Sequence, residues 1–135
     1  MARVALCQDV LVEYAGYMSI SAVLKEAGHE VEVFFDDQQH PTRFLDEVAS
    51  FKPDLVAFSL LTPTVPWAQR TAQAVKEQLD VITVAGNVHA ILNSEAVMDE
   101  GWMDLVCTGE GEYAMLELCA AIDAGTDYST IAGFW

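Results

Sequence analysis

Five short apolar runs alternate along this chain with segments whose apolar residues recur at helical spacing. That alternation is the mark of a parallel sheet covered on both faces, because two parallel strands can be joined only by a long crossover, and a helix is its usual form. The runs are Arg3 to Cys7, Glu30 to Phe35, Leu55 to Phe58, Val81 to Ala85 and Leu105 to Cys107. In the first crossover Ile20, Val23, Leu24 and Ala27 keep helical spacing until Gly28 stops them; in the second Phe44, Leu45, Val48 and Phe51 do so until Lys52-Pro53-Asp54. Ala68, Ala72, Val75 and Leu79 mark a third helix, Leu116, Leu118, Ala121 and Ile122 a last one, and the fourth crossover from Leu92 to about Glu100 is short.

Right-handed crossovers between five parallel strands predict a flavodoxin-like, Rossmann-like α/β domain with strand order 2-1-3-4-5 and helices on both faces. With 135 residues, 53% of them hydrophobic, the chain fits one domain with a real core. No internal repeat or low-complexity linker divides it. Residues 1–125 are expected to form the domain and 126–135 a tail, which ends in the apolar Ile131-Ala132-Gly133-Phe134-Trp135. An exposed Phe-Trp end points to a truncated chain or a docking segment.

Charge narrows the choice of partners. Lys and Arg number 6 against 21 for Asp and Glu, a formal net charge of −15 that argues against nucleic acid or an anionic membrane surface. The acid excess reads first as a solvated surface and second as a match for a basic partner or sister domain. No apolar run approaches the roughly 20 residues that cross a bilayer, and Met1-Ala2-Arg3 leads straight into a strand, so a cytoplasmic protein is expected. Cys7, Cys107 and Cys119 have neither disulfide nor zinc spacing and read as buried small hydrophobes.

Ligands in open α/β sheets bind at the carboxyl edge of the strands, and here four strands are followed there by unusual sequences. Strand one opens into Gln8 to Met18, a loop of roughly ten residues where about 2 to 6 is usual. Strand three is followed by Ser59-Leu60-Leu61-Thr62-Pro63-Thr64-Val65-Pro66-Trp67, with Thr64 as a cap and Pro66 in a first helical turn. Hydroxyls beside apolar side chains there suit a heterocycle with a polar tail. Strand four ends in Gly86-Asn87-Val88-His89, and strand five in Thr108-Gly109-Glu110-Gly111-Glu112 ahead of an amphipathic segment from Tyr113 to Ala124. Glycines and a helix amino terminus there bring backbone N–H groups to a ligand.

Single residues weigh less than this convergence. Gly86 alone fits a tight turn. His89 suits a helix start held by hydrogen bonds, with metal ligation or proton transfer as alternatives. Trp67 and Trp102 read as packing residues. Glu112 suits a stabilising carboxylate at a helix amino terminus, and the role of Glu110 stays open. His29 and His40 lie away from this edge and read as inert. No phosphate loop, dinucleotide Gly-x-Gly-x-x-Gly, nucleophile elbow or Ser/Cys-His-Asp set occurs. Ser59 and Thr108 stand where a phosphorylated receiver domain needs Asp and Lys.

Taken together, Gly86-Asn87-Val88-His89-Ala90, Asp104-Leu105-Val106-Cys107-Thr108-Gly109-Glu110-Gly111-Glu112 and Ile131-Ala132-Gly133 resemble the amino-terminal cobalamin-binding domain of cobalamin-dependent radical SAM enzymes. That family carries a Gly-Gly-x-His turn, an Asp-x-Val-x-x-Gly-Glu-Gly-Glu run and a closing Ile-x-Gly. Gly28-His29-Glu30-Val31 and Lys52-Pro53-Asp54-Leu55-Val56 extend the likeness over nearly the whole chain. Asn87 replaces the second glycine of the turn, and asparagine tolerates left-handed geometry. The Asp-x-His-x-x-Gly motif of methionine-synthase-type domains is missing, since no histidine lies between Asp9 and Gly16, whereas Ser59 and Leu61 match that wider superfamily's Ser-x-Leu element.

The resemblance implies bound cobalamin with no cobalt ligand from the first loop. Its nucleotide tail lies beside Ser59, Leu60, Leu61, Thr62, Gly86 and Asn87. Glu13, Tyr14, Ala15, Gly16 and Met18 sit beneath the corrin, and His89, Thr108, Gly109, Glu110, Gly111 and Glu112 complete the site. It further implies a parent methyltransferase or related enzyme whose SAM and [4Fe-4S] cluster belong to a separate radical SAM domain, because no Cys-x-x-x-Cys-x-x-Cys occurs here. No catalytic or metal-ligating residue is expected in this chain itself. The rival readings are a docking or homodimerising domain without cofactor and, on topology alone, a flavin protein, although the first loop lacks a Ser/Thr-rich phosphate cradle.

Overall fold

The computed structural model describes residues 1–9, 15–36, 39–60, 62–86, 101–107, 111–129, 131 and 134. Five strands, β1 (Arg3–Gln8), β2 (Glu30–Phe35), β3 (Leu55–Ser59), β4 (Ile82–Gly86) and β5 (Leu105–Val106), form one sheet in the order β2-β1-β3-β4-β5. Every pairing is parallel. Helices α1 (Ala15–Glu26), α2 (Pro41–Phe51), α3 (Val65–Gln78) and α4 (Gly111–Ala124) supply the described crossovers and the final cover. The topology is the one the apolar runs predict. The fourth crossover falls outside the described residues.

Burial on both faces explains why the central strands read as unbroken apolar runs. Alternate residues of β1 enter different cores. Ala5 and Cys7 join Val56, Phe58, Phe44, Val48, Trp67 and Val75. Val4 and Leu6 join Leu24, Leu55, Val84, Met115, Leu118 and Cys119 on the side of α1 and α4. Leu6, Leu24 and Leu118 are fully buried, each stabilising the fold by roughly 1.5–3 kcal/mol. The three cysteines form no disulfide and are buried, as expected of small hydrophobes.

Helix ends follow the sequence signals with two exceptions. Gly28 adopts φ +93, and the His29 N–H reaches the Leu24 carbonyl at 3.0 Å to close α1. Lys52 closes α2 in the left-handed region at φ 55, just ahead of Pro53. The first exception is that α1 begins at Ala15, so the loop expected to reach Met18 ends earlier. The cause is Tyr17, which continues the Ile20 and Leu24 period one turn back and is buried. The second is that Thr64 does not cap α3. A single 3-10 turn, Thr62–Thr64, leads into that helix, which leaves Thr64 with helical φ and ψ where a capping residue needs extended ones.

The tail returns to the domain. Tyr128, Ile131 and Phe134 pack against the core under α1 and α4, and Phe134 forms an isolated antiparallel bridge with Cys107. Phe134 is therefore half-buried where an exposed end was expected. Trp135 lies outside the described residues.

Candidate functional site at the carboxyl edge of the sheet

Parallel pairing brings the carboxyl ends of all five strands to one edge, where α1, α3 and α4 start. Ser59 pairs in register with Gly86, and the Leu60 N–H donates to the Gly86 carbonyl at 2.8 Å. The Cys107 N–H reaches the Ala85 carbonyl at 2.7 Å, and the Asp36 N–H reaches the Gln8 carbonyl at 2.9 Å. These bonds carry the ladder one residue past the strands and hold the start of each loop in place.

Gly86 is the last residue of β4, and its φ is not positive. Asn87 to His89, which complete the turn expected at Gly86, lie outside the described residues. Among the described residues, a Cβ built at Gly86 meets Cys107 Cβ at 3.9 Å, an ordinary contact. Beside it the Ser59 side chain is buried. The pair places a backbone stretch without a side chain next to a hydroxyl at the carboxyl edge.

The other expected site residues separate into groups. Leu60 is wholly buried in the core on the α2 and α3 side, so its main chain alone reaches the edge. Gly16 and Met18 are exposed in the first turn of α1, with Met18 at 57%. Ala15 begins that helix, and Thr62 the 3-10 turn. Gly111 begins α4 with a built Cβ 2.9 Å from Ile20 Cδ1, a close approach between the two helices. Glu112 accepts a hydrogen bond from Ser19 and one from its own backbone N–H, which together hold its carboxyl below the usual range and tie α4 to α1. Glu13, Tyr14, Leu61, Asn87, His89, Thr108, Gly109 and Glu110 lie outside the described residues.

Two residues at this edge escaped the sequence reading. Tyr17, at the start of α1, donates its buried hydroxyl to the Cys7 carbonyl at 2.7 Å and lies 3.3 Å from that of Ala57. Asp36, the residue after β2, is 4% exposed and accepts the Trp67 indole N–H at 2.9 Å. Trp67 packs edge-on against Phe58 and Phe44, the packing role expected of it. Burial, opposed by its own backbone hydrogen bond and assisted by Asp36, raises the Asp9 carboxyl. Burial and Asp36 likewise push the Cys7 thiol far up. The signal for Tyr17 was its place in the helical period, and for Asp36 an acid directly after an apolar strand.

Below the opposite edge, Asp104 anchors β5. Its carboxylate accepts both Lys76 Nζ contacts at 2.7 Å and the Thr83 N–H at 2.9 Å, while its own N–H donates to the Thr83 carbonyl at 3.0 Å. Ahead of β2, His29 Nδ1 accepts the Ala2 N–H at 3.0 Å, a structural role away from the candidate site. Among the described residues no cluster of His, Cys, Asp or Glu suits a metal ion, and no helix is long and apolar enough to cross a membrane.

Residues 5–119 match the model of the B12 binding domain family. The anaerobic magnesium-protoporphyrin IX monomethyl ester cyclase of Rubrivivax gelatinosus is 32% identical over 111 residues, which are 78% of this chain and 20% of that protein. The radical S-adenosylmethionine methyltransferase TsrM of Kitasatospora setae, solved with cobalamin and a [4Fe-4S] cluster, superimposes with a TM-score of 0.86 at 22% identity, over 99% of this chain and 27% of that one. The cobalamin-dependent S-adenosylmethionine radical enzyme OxsB, solved with aqua-cobalamin and S-adenosylmethionine, superimposes equally well, with a TM-score of 0.86 at 17% identity over 99% of this chain and 20% of that one. The chain spans about a fifth of the cyclase's length. With its five-stranded parallel sheet and a family match over most of its length, the chain belongs to the B12 binding domain family and shares the fold found in TsrM and OxsB.

Proposed function

We propose that this chain is the cobalamin-binding module of a cobalamin-dependent radical SAM enzyme, methyltransferase-like, and holds the cofactor base-off with no cobalt ligand from its first loop. The observation that carries the reading is the Ser59–Gly86 pair, a hydroxyl beside a backbone stretch that no side chain of the described residues covers. In this reading the nucleotide tail lies along Ser59, Leu60, Leu61, Thr62, Gly86 and Asn87. Glu13, Tyr14, Ala15, Gly16 and Met18 border the lower face of the corrin. His89 and Thr108 to Glu112 close the remaining side, where the start of α4 offers backbone N–H groups.

When bound, cobalamin supplies a cobalt–carbon bond able to carry a methyl group. The chain's own part is to grip the tail, keep a histidine away from cobalt and turn the open face of the corrin outward. SAM, the [4Fe-4S] cluster and the choice of substrate belong to a separate radical SAM domain of a longer parent, in a cytoplasmic setting that keeps the three cysteines reduced. The test is a titration with hydroxocobalamin followed by electron paramagnetic resonance of the reduced cob(II)alamin form. Retained corrin after gel filtration, at about one per chain and without nitrogen superhyperfine splitting, is expected. Nitrogen splitting overturns the base-off assignment, and corrin that washes off both this chain and its full-length parent overturns the reading.

A further inference from the structure

The outer side of β2 is a free sheet edge, since β2 stands last in the strand order and pairs only with β1 among the described residues. Its register decides which groups face outward. The Glu30 N–H donates to Ala2 and the Asp36 N–H to Gln8, both toward β1. Parallel strands alternate, so Val31, Val33 and Phe35 direct their N–H and C=O groups outward. Natural sheets shield such an edge or use it to bind.

Side chains along this edge sort by sign and polarity. Phe34 enters the core under α2, so Glu30 and Glu32, which share its parity, stand on that side. Val31 enters the opposite core, and Val33, of the same parity, stays 48% exposed. A groove of about 1070 Å³ runs between the edge and α2, lined by Glu32, Phe34, Asp46 and Phe51 among others. It is continued toward Gly28 by a hollow of about 610 Å³ that shares Arg3, Glu32 and Phe51. Arg3 is engaged by Glu30, by the Phe51 carbonyl and by the Phe51 ring. Arg43 is engaged by Glu47. Glu32 and Asp46, both exposed, make no ion pair among the described residues, and the Arg3 and Arg43 that line the same groove are each held by another acid.

We infer that β2 accepts an extended basic segment of a partner protein as a sixth strand. Its outward backbone groups pair with Val31, Val33 and Phe35, its alternate Lys or Arg side chains lie against Glu32 and Asp46, and its intervening apolar side chains cover Val33. The charge pattern selects this occupant over a second copy. A second copy brings an equally acidic β2, with its own Glu30 and Glu32, on a chain that also carries a net −15. The interaction is separate from the carboxyl-edge site and independent of the cobalamin reading.

The probe is a short acetylated peptide of alternating lysine and valine, titrated at low salt into the intact chain, with a lysine-to-glutamate version as control. Binding that weakens with added salt is expected, together with slower hydrogen exchange at the Val31, Val33 and Phe35 amides. Glu32→Lys, an exposed change that leaves the fold intact, weakens binding about tenfold. Val33→Pro removes one outward donor and no inward one, and abolishes the added strand. Unchanged affinity in Glu32→Lys, protection appearing elsewhere, or a peptide-free dimer that already protects these three amides overturns the inference. Should Val33→Pro fail to fold, the exchange pattern and Glu32→Lys decide.

Discussion

The Tyr17 hydroxyl donates to the Cys7 carbonyl oxygen at 2.7 Å, joining the first turn of α1 to the end of the central strand β1. The Tyr17 hydroxyl oxygen also lies 3.3 Å from the Ala57 carbonyl oxygen of β3. One buried phenol thus sets where the first crossover turns into helix above the sheet. Tyr17→Phe keeps the ring and removes the donor, and is expected to cost about 1–3 kcal/mol in urea unfolding. Tyr17→Ala is expected to cost roughly 3–5 kcal/mol, because it also empties the ring's place in the core.

Gly86→Val separates stability from binding. Among the described residues the new Cβ meets Cys107 Cβ at an ordinary 3.9 Å, so the unfolding midpoint is expected to stay within about 1 kcal/mol of wild type. Two methyl groups beyond it occupy the space assigned to the nucleotide tail. Hydroxocobalamin binding, followed by absorbance after gel filtration, should fall by roughly tenfold to a hundredfold. Normal affinity in a folded variant shows that the tail lies elsewhere.

Asp104 and Lys76 are unequal partners. Their side chains are 37% and 30% exposed, so the ion pair itself is worth little. Lys76→Met is expected to cost less than about 1 kcal/mol. Asp104→Ala is expected to cost about 1–3 kcal/mol, because Thr83 loses the acceptor for its N–H at the start of β4. Chemical denaturation of the two variants and the double variant measures the difference.

Acid stability should carry opposite contributions from Glu112 and Asp9. Hydrogen bonds from Ser19 and from its own backbone N–H lower the Glu112 carboxyl from its ordinary 4.5. Its contribution is present above that value and is lost as pH falls through the lower folded value. Burial and Asp36 raise the Asp9 carboxyl from its ordinary 3.8, so its ionised form opposes folding at neutral pH, and that opposition is relieved as pH falls through the raised value. Unfolding measured against pH should show Glu112→Gln losing its deficit at the acid end. Asp36→Asn should bring Asp9 part of the way back, since burial remains.

The buried thiols should be silent. Burial, then Asp123 and Asp54, push Cys119 up to about 12, and Cys7 is pushed up by burial and Asp36. A thiol-disulfide reagent at about pH 8 is expected to leave Cys7 and Cys119 unlabelled in the native chain and to label both once urea unfolds it.

Chain order and periodicity by themselves determined the sheet. Five apolar runs of strand length, each reached through a helix-spaced segment, allow few arrangements, and the right-handed crossover leaves essentially one. Gly28 and the Lys52-Pro53 pair marked helix ends through local backbone sterics, which need no distant partner, and they stand where expected. Packing decided what local signals did not carry. Tyr17 extended α1 back to Ala15 because its hydroxyl reaches two strands at once, through carbonyls ten and forty residues away in sequence. What a side chain at Gly86 would meet depends on where Cys107 comes to rest beside β4. Asp36 acquired its indole donor only when α3 folded over β2 and β3. Periodicity records which face of an element is buried, whereas a site is made of groups brought together across the sheet, and only the tertiary structure brings them within reach.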